Sequence, residues 1–278
     1  MRRGITVLAC LCAVIGAQYY AISKWGIRHE SLDLFDATRQ RPVSVDIAVR
    51  RDYEWKAAAG YTKLPVAIIS NGNTVKNTEY SFLANVFAAR GYMVVSIQQD
   101  NPDDPPLVTK PGEPYVGRLD VYKKGEANIL FTIDQLGKRD LNANFDHLTL
   151  VGHSNGGDIA MYFAKQHLDL TAKIVTLDNL RVPFVLSDKT KILSFRSEDP
   201  HFQPDPGVMP SPGQTKTDGI EIVQTKYQHN WMSDRGPEAA KKAIQAALDA
   251  FLGDKSASDL HPVDTSNPIG FTTGMPLP

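Results

Sequence analysis

"LTLVGHSNGGDIAMYF", residues 148–163, is the stretch whose reading decides the fold. An apolar run, Leu148 to Val151, stops at Gly152. Ser154 stands between Gly152 and Gly156, and apolar residues return at helical spacing from Ile159. The pattern is G-x-S-x-G, which chance alone places in roughly one chain in ten of this length. Context separates it from chance, because a strand pattern ends directly before it and a helix pattern opens directly after it. A serine at such a corner sits in a tight turn with its hydroxyl clear of the sheet. Side chains on either flank would crowd that turn, hence the two glycines. The first turn of the helix adds free N–H groups and partial positive charge, which suit a developing oxyanion.

Working outward, "RPVSVDIAVRR" from Arg41 alternates apolar and polar residues and reads as a strand. "KLPVAIISNG" and "YMVVSIQQD" are continuous apolar runs, as in strands buried on both faces. Between them, Phe82, Leu83, Val86 and Phe87 share one helix face, closed by Gly91. Ile129, Ile133 and Leu136 mark a second helix after the proline-rich loop Asn101 to Gly117. "AKIVTLDN", "KILSFRSED" and "IEIVQTKYQHN" read as further strands, and "PEAAKKAIQAALDAFLG" as an amphipathic last helix. Strand and helix in alternation predict an α/β fold, a mostly parallel central sheet with helices on both faces. No composition break interrupts residues 40–253, so one domain is expected. In such sheets, sites form at the carboxyl ends of the strands.

A serine hydroxyl is a poor nucleophile at neutral pH and needs a base, which in turn needs an orienting acid. In this fold class the order along the chain is serine, acid, histidine. Of the histidines beyond Ser154, His167 falls on the helix after the motif, His201 just past a strand end and His261 in the tail. His229 falls between the last strand and the last helix, where the base is expected. His153, inside the motif, is read as a packing or supporting residue. Two carboxylates compete for the acid. Asp199, closing "KILSFRSED", is preferred, and Asp178, in "KIVTLDN", is the alternative, ahead of Glu198 and Asp205. The backbone N–H of Asn155 is one oxyanion donor. Asn73 in "IISNGN" is the second, with Gly72 letting the backbone approach. The mechanism implied is ester hydrolysis through an acyl-enzyme, with no metal and no organic cofactor. The same residues suit an amidase, peptidase or acyltransferase, or a non-catalytic binding protein on the same fold.

The stretches "SNGNTVKNTEYSFLANVFAARGYMVVSIQQD", "LTLVGHSNGGDIA", "VTLDN", "LSFRSED" and "QHNWMSDRG" resemble the α/β-hydrolase superfamily. Within it they are similar to the platelet-activating-factor acetylhydrolases and dienelactone-hydrolase-like serine esterases. The resemblance implies the α/β-hydrolase fold and a Ser-Asp-His triad acting on a small-molecule ester. Asn71 stands where the family usually has a histidine before the glycine of the oxyanion loop. Acetylhydrolases of this group take their acid from the strand that here ends in Asp178, whereas other hydrolases use the position of Asp199. Dienelactone hydrolases proper use a cysteine nucleophile, which this chain lacks at Ser154. The short connection "LRVPFVLSDKTK" leaves no space for a large lid domain. An open site and short-chain or small acyl esters are therefore expected, with Phe202, Val208 and Met209 as candidate pocket residues.

The 278 residues are 42% apolar and 22% charged, an ordinary globular composition. Thirty Lys and Arg against 31 Asp and Glu give no field that would gather nucleic acid. "MRRG" followed by "ITVLACLCAVIGA" has the form of a signal peptide cut after Ala17, or of a retained N-terminal anchor reaching Ile22. Residues 1–24 are assigned to that segment, residues 25–255 to the hydrolase domain and residues 256–278 to a flexible tail. The two cysteines, Cys10 and Cys12, both fall in the leader. The mature chain then has no disulfide framework or zinc-thiolate site, in keeping with an exported protein, periplasmic or secreted, or one held at the inner membrane.

Overall fold

A computed structural model describes residues 26–108, 115, 117–140, 142–217 and 219–254. The leader, the tail, both cysteines and residues 109–114 and 116 of the proline-rich loop lie outside the described residues. The strands are β1 (Ile27–Asp36), β2 (Arg41–Arg50), β3 (Leu64–Ser70), β4 (Met93–Ile97), β5 (Ala143–His153), β6 (Thr171–Leu177), β7 (Lys191–Arg196) and β8 (Ile220–Gln224). The helices are α1 (Arg51–Ala58), α2 (Ser81–Ala89), α3 (Leu119–Arg139), α4 (Asn155–Gln166), α5 (Pro212–Thr217) and α6 (Glu238–Leu252). Among the described residues, no helix is long and apolar enough to cross a membrane.

The eight strands form one sheet in the order β1-β2-β4-β3-β5-β6-β7-β8. β1 and β2 are antiparallel to their neighbours, and the six strands from β4 to β8 are parallel. Parallel strands are covered on both faces, which explains why β3, β4, β6 and β7 read as apolar runs. Val66, Ile68, Val95, Leu150 and Ile174 pack under α3 and α4 on one face. Ile69, Val94, Val151, Val175 and Leu193 pack under α2 and α6 on the other. Phe82, Leu83 and Phe87 are buried from α2, and Ile129 and Leu136 from α3, as their spacing predicts. Nearly all of α4 is buried, which holds the helix after the glycine-serine corner rigidly against the sheet.

Three elements, β1, α1 and α5, have no counterpart in the sequence reading. β1, "IRHESLDLFD", is an edge strand with solvent on its outer side, so polar and charged residues occupy most of its positions. Its apolar signal is correspondingly thin. α1 is a short, largely exposed helix.

The chain leaves β3 for β4 on one side and returns through α3 to β5 on the other. The switch in direction opens a crevice at the carboxyl ends of β3 and β5, where ligands bind in sheets of this kind. Register aligns these ends: Ser70 pairs with Gly152, His153 with Leu177, and Leu177 with Phe195. Only residues 178–190 join β6 to β7, and they contain no helix or strand. The large lid absent from the sequence reading is absent here as well.

Candidate active site

Ser154 follows β5 and precedes α4 with φ 53° and ψ −120°. A non-glycine residue at positive φ is strained by about 1–3 kcal/mol and persists only where its surroundings impose it. Its N–H donates to Leu177 O at 2.8 Å and its carbonyl accepts from Asp158 N–H at 3.0 Å, so both backbone groups are fixed. The flanking glycines are required by close approach. A Cβ on Gly152 would lie 2.1 Å from Gly156 O, and one on Gly156 would lie 2.1 Å from Ser70 O.

Asp178 is the first residue past β6, and it too has a left-handed backbone, φ 59°. Aspartate tolerates that region better than most residues. Its N–H donates to Phe195 O at 2.8 Å, which turns the side chain across the end of the sheet. There the Nδ1–H of His229 donates to Asp178 Oδ2 at 2.6 Å, with both side chains almost fully buried. Ser197 donates to the same carboxylate from its hydroxyl (2.6 Å) and its N–H (3.1 Å). Arg196 lies 3.2 Å from Oδ1. Burial pushes the Asp178 carboxyl up, but the His229 hydrogen bond, the Arg196 charge and the Ser197 hydroxyl outweigh it. The carboxyl is held below its ordinary value. An ionised carboxylate can only accept, so Nδ1 of His229 carries a proton, and in the neutral ring the lone pair is on Nε2. Among the described residues no hydrogen bond joins Ser154 Oγ to His229 Nε2, and neither atom bonds any other group.

The carboxylate against His229 is that of Asp178, not that of Asp199. β7 ends at Arg196, so the side chain delivered to the histidine from that strand end is a guanidinium held through Asp178. Asp199 lies three residues further on and faces its own turn. Its Oδ1 accepts from His201 N–H at 3.0 Å, and its carbonyl accepts from Phe202 N–H at 3.2 Å and Gln203 Nε2 at 2.9 Å. That turn sets the ring of Phe202 on the imidazole of His229, with centroids 3.9 Å apart and planes 2° from parallel. Of the three candidate pocket residues, Phe202 thus reaches the site, whereas Val208 is fully buried and Met209 packs against the core. Asp205 pairs with Arg181, and Glu198 N–H donates to Tyr227 O at 2.9 Å.

Asn155 opens α4, where the first N–H groups have no partner within the helix. Asn73 is exposed on the loop after β3, and among the described residues its N–H makes no hydrogen bond. The loop is stiffened from beneath by Asn71. The Asn71 side chain donates to Val75 O at 2.7 Å and Asp100 Oδ1 at 2.6 Å, and accepts from Gln99 N–H at 2.7 Å. A residue the sequence reading passed over, Asp158 in the first turn of α4, ties that helix to the loop after β6. Its Oδ1 accepts the N–H groups of Leu180, Arg181 and Val182 at 3.0, 2.8 and 3.0 Å. Burial pushes its carboxyl up to about 6, against the pull of those N–H groups. Among the other histidines, His167 bonds Glu126 at 2.7 Å away from the site, and His201 is 86% exposed. His261 lies outside the described residues. No group of three or more metal-ligating side chains occurs among the described residues.

No family model and no curated protein sequence matches the chain. Solved structures do. A dienelactone hydrolase-like promiscuous phosphotriesterase, P91, from metagenomic libraries superposes with a TM-score of 0.60 at 10% identity, over 82% of this chain and 98% of that one. A ferulic acid esterase from Streptomyces cinnamoneus gives 0.57 at 14% identity, over 86% and 93%. A bacterial heroin esterase gives 0.54 at 13% identity, over 90% and 88%. The sheet order, the strained serine at the β5–α4 corner and these likenesses agree that the chain has the α/β-hydrolase fold.

Proposed function

We propose that the protein is a serine hydrolase that cleaves carboxylic esters through an acyl-enzyme. The observation that carries the reading is the buried 2.6 Å pair of His229 and Asp178, set at the strand ends beside a strained Ser154. His229 Nε2 takes the proton of Ser154 as Oγ attacks the carbonyl carbon. Asp178 holds the imidazole in the required tautomer and balances the imidazolium that forms. The N–H groups of Asn73 and Asn155 receive the oxyanion, and His229 then returns the proton to the departing alcohol. Water, deprotonated by His229, releases the acid. The short β6–β7 connection favours small or short-chain acyl groups. The leader sequence favours an exported protein, which the N-terminus of the mature chain would verify.

Fluorophosphonate labelling, followed by mass spectrometry of the labelled peptide, tests the reading. Modification at Ser154, lost in Ser154→Ala, is expected together with faster turnover of p-nitrophenyl acetate than of long-chain esters. A wild-type protein that is folded, unlabelled and inactive on the whole ester panel overturns it.

A further inference from the structure

Tyr80 and His153 take no part in that chemistry, yet they connect its two halves. Gly72 N–H, one residue before the Asn73 donor, donates to Tyr80 Oη at 2.9 Å. Tyr80 Oη lies 2.9 Å from His153 Nδ1, and His153 Nε2 lies 3.1 Å from the carbonyl oxygen of His229. All of these side chains are buried. We propose that Tyr80 and His153 are positioning residues, a buried relay that fixes the oxyanion loop relative to the base. The inference rests on the reading of Ser154, His229 and Asp178 as a hydrolytic site.

Chemistry fixes every proton in the relay. A carbonyl oxygen only accepts, so His153 Nε2 carries hydrogen. Complete burial, with the neighbouring His229 adding to it, lowers the His153 imidazole to about 3, so it is neutral at working pH. Nδ1 then holds a lone pair and accepts the Tyr80 hydroxyl, which leaves the Tyr80 oxygen to accept Gly72 N–H. The carbonyl of His229 also accepts Met232 N–H at 3.2 Å, which closes the short turn that carries the base. Gly72 is part of the fit, because a Cβ there would lie 2.8 Å from His153 Nδ1 and 3.2 Å from Tyr80 Oη. The oxyanion donor and the base come from loops more than 150 residues apart, and no covalent link sets their separation. Three consecutive hydrogen bonds in a dry interior do.

The test compares Tyr80→Phe, His153→Gln and His153→Leu with wild type, well below each melting temperature. Glutamine keeps an N–H for the His229 carbonyl, and leucine keeps none. Tyr80→Phe is expected to slow Ser154 labelling and kcat roughly 10- to 100-fold with KM nearly unchanged, as misplacement of a reacting group does. His153→Gln should retain more activity than His153→Leu. If Leu does not fold, Tyr80→Phe and His153→Gln carry the comparison. Folded Tyr80→Phe labelled at the wild-type rate overturns the relay while leaving the hydrolytic reading intact. Nitrogen NMR of His153 gives a readout independent of activity. A neutral ring protonated at Nε2 is expected from about pH 5 to pH 8, and an ordinary titration there overturns the relay.

Discussion

The ring of Phe202 lies face to face with the imidazole of His229, 3.9 Å between centroids and 2° between planes. Such stacking restrains the imidazole about the axis that its bond to Asp178 leaves soft. Aromatic pairs are worth about 0.5–1.5 kcal/mol beyond their buried area. Phe202→Ala is therefore expected to lower kcat/KM roughly 2- to 10-fold, and Phe202→Trp to keep most of it. Steady-state kinetics on p-nitrophenyl acetate decides, and an unchanged alanine variant would remove the restraint from the account.

Asp178 and Asp199 differ in what they hold. Asp178→Asn puts an amide against His229 Nδ1 and favours the wrong tautomer, so labelling of Ser154 should slow by roughly 10³- to 10⁴-fold. Asp199→Asn disturbs the turn beneath Phe202 and should cost no more than Phe202→Ala. The reverse order of effects would return the acid to Asp199.

Two buried titrating groups, His153 and Asp158, pull stability in opposite directions with pH. His153, lowered to about 3, stays neutral while the unfolded chain takes up a proton near pH 6.5. Its contribution is complete above pH 6.5 and is lost as pH falls toward 3, by at most about 1.4 kcal/mol per pH unit. Asp158, raised to about 6, behaves oppositely, being costly above pH 6 and relieved as pH falls toward 3.8. Asp158→Asn can still accept the three loop N–H groups. It should stabilise the protein by about 1–3 kcal/mol at pH 8 and by nothing near pH 4. Denaturant melts at the two pH values test this, and a pH-independent difference would refute it.

Close approach at the serine corner gives a steric prediction. Gly152→Ala places a Cβ 2.1 Å from the Gly156 carbonyl oxygen in α4, and Gly156→Ala one 2.1 Å from the Ser70 carbonyl oxygen in β3. Each should destabilise by about 4 kcal/mol or more, or fail to accumulate folded. Gly213→Ala, whose Cβ meets nothing within 4 Å, should stay within about 0.5 kcal/mol of wild type. Melting curves for the three variants suffice.

β3, β4, β6 and β7 were legible because burial on both faces leaves an unbroken apolar run, and α2, α3 and α6 because one face of each is apolar. The positions of Ser154 and His229 were legible because each occupies a junction between a readable strand and a readable helix. β1 was not, since an edge strand with solvent on its outer side has no need of an apolar run. The acid was undecided for a different reason. Two carboxylates close neighbouring strands, and sequence does not say which way a side chain turns once its strand has ended. The distinguishing signals were local: Arg196 and Ser197 stand where they can serve Asp178, and Asp178 takes a left-handed backbone that aims it across the sheet. Asp158 gave no periodic signal, because its work is done by accepting backbone N–H groups from a loop distant in sequence.

Arg196 beside Asp178 has an electrical consequence. With the imidazole neutral, guanidinium and carboxylate cancel, and the buried centre carries no net charge. In the proposed mechanism, proton transfer from serine to imidazole makes it positive by one unit, in a medium that solvates isolated ions poorly. The oxygen turning negative in the cleft supplies the missing counter-charge at that same instant, so the centre is neutral at rest and again at the crest of the barrier.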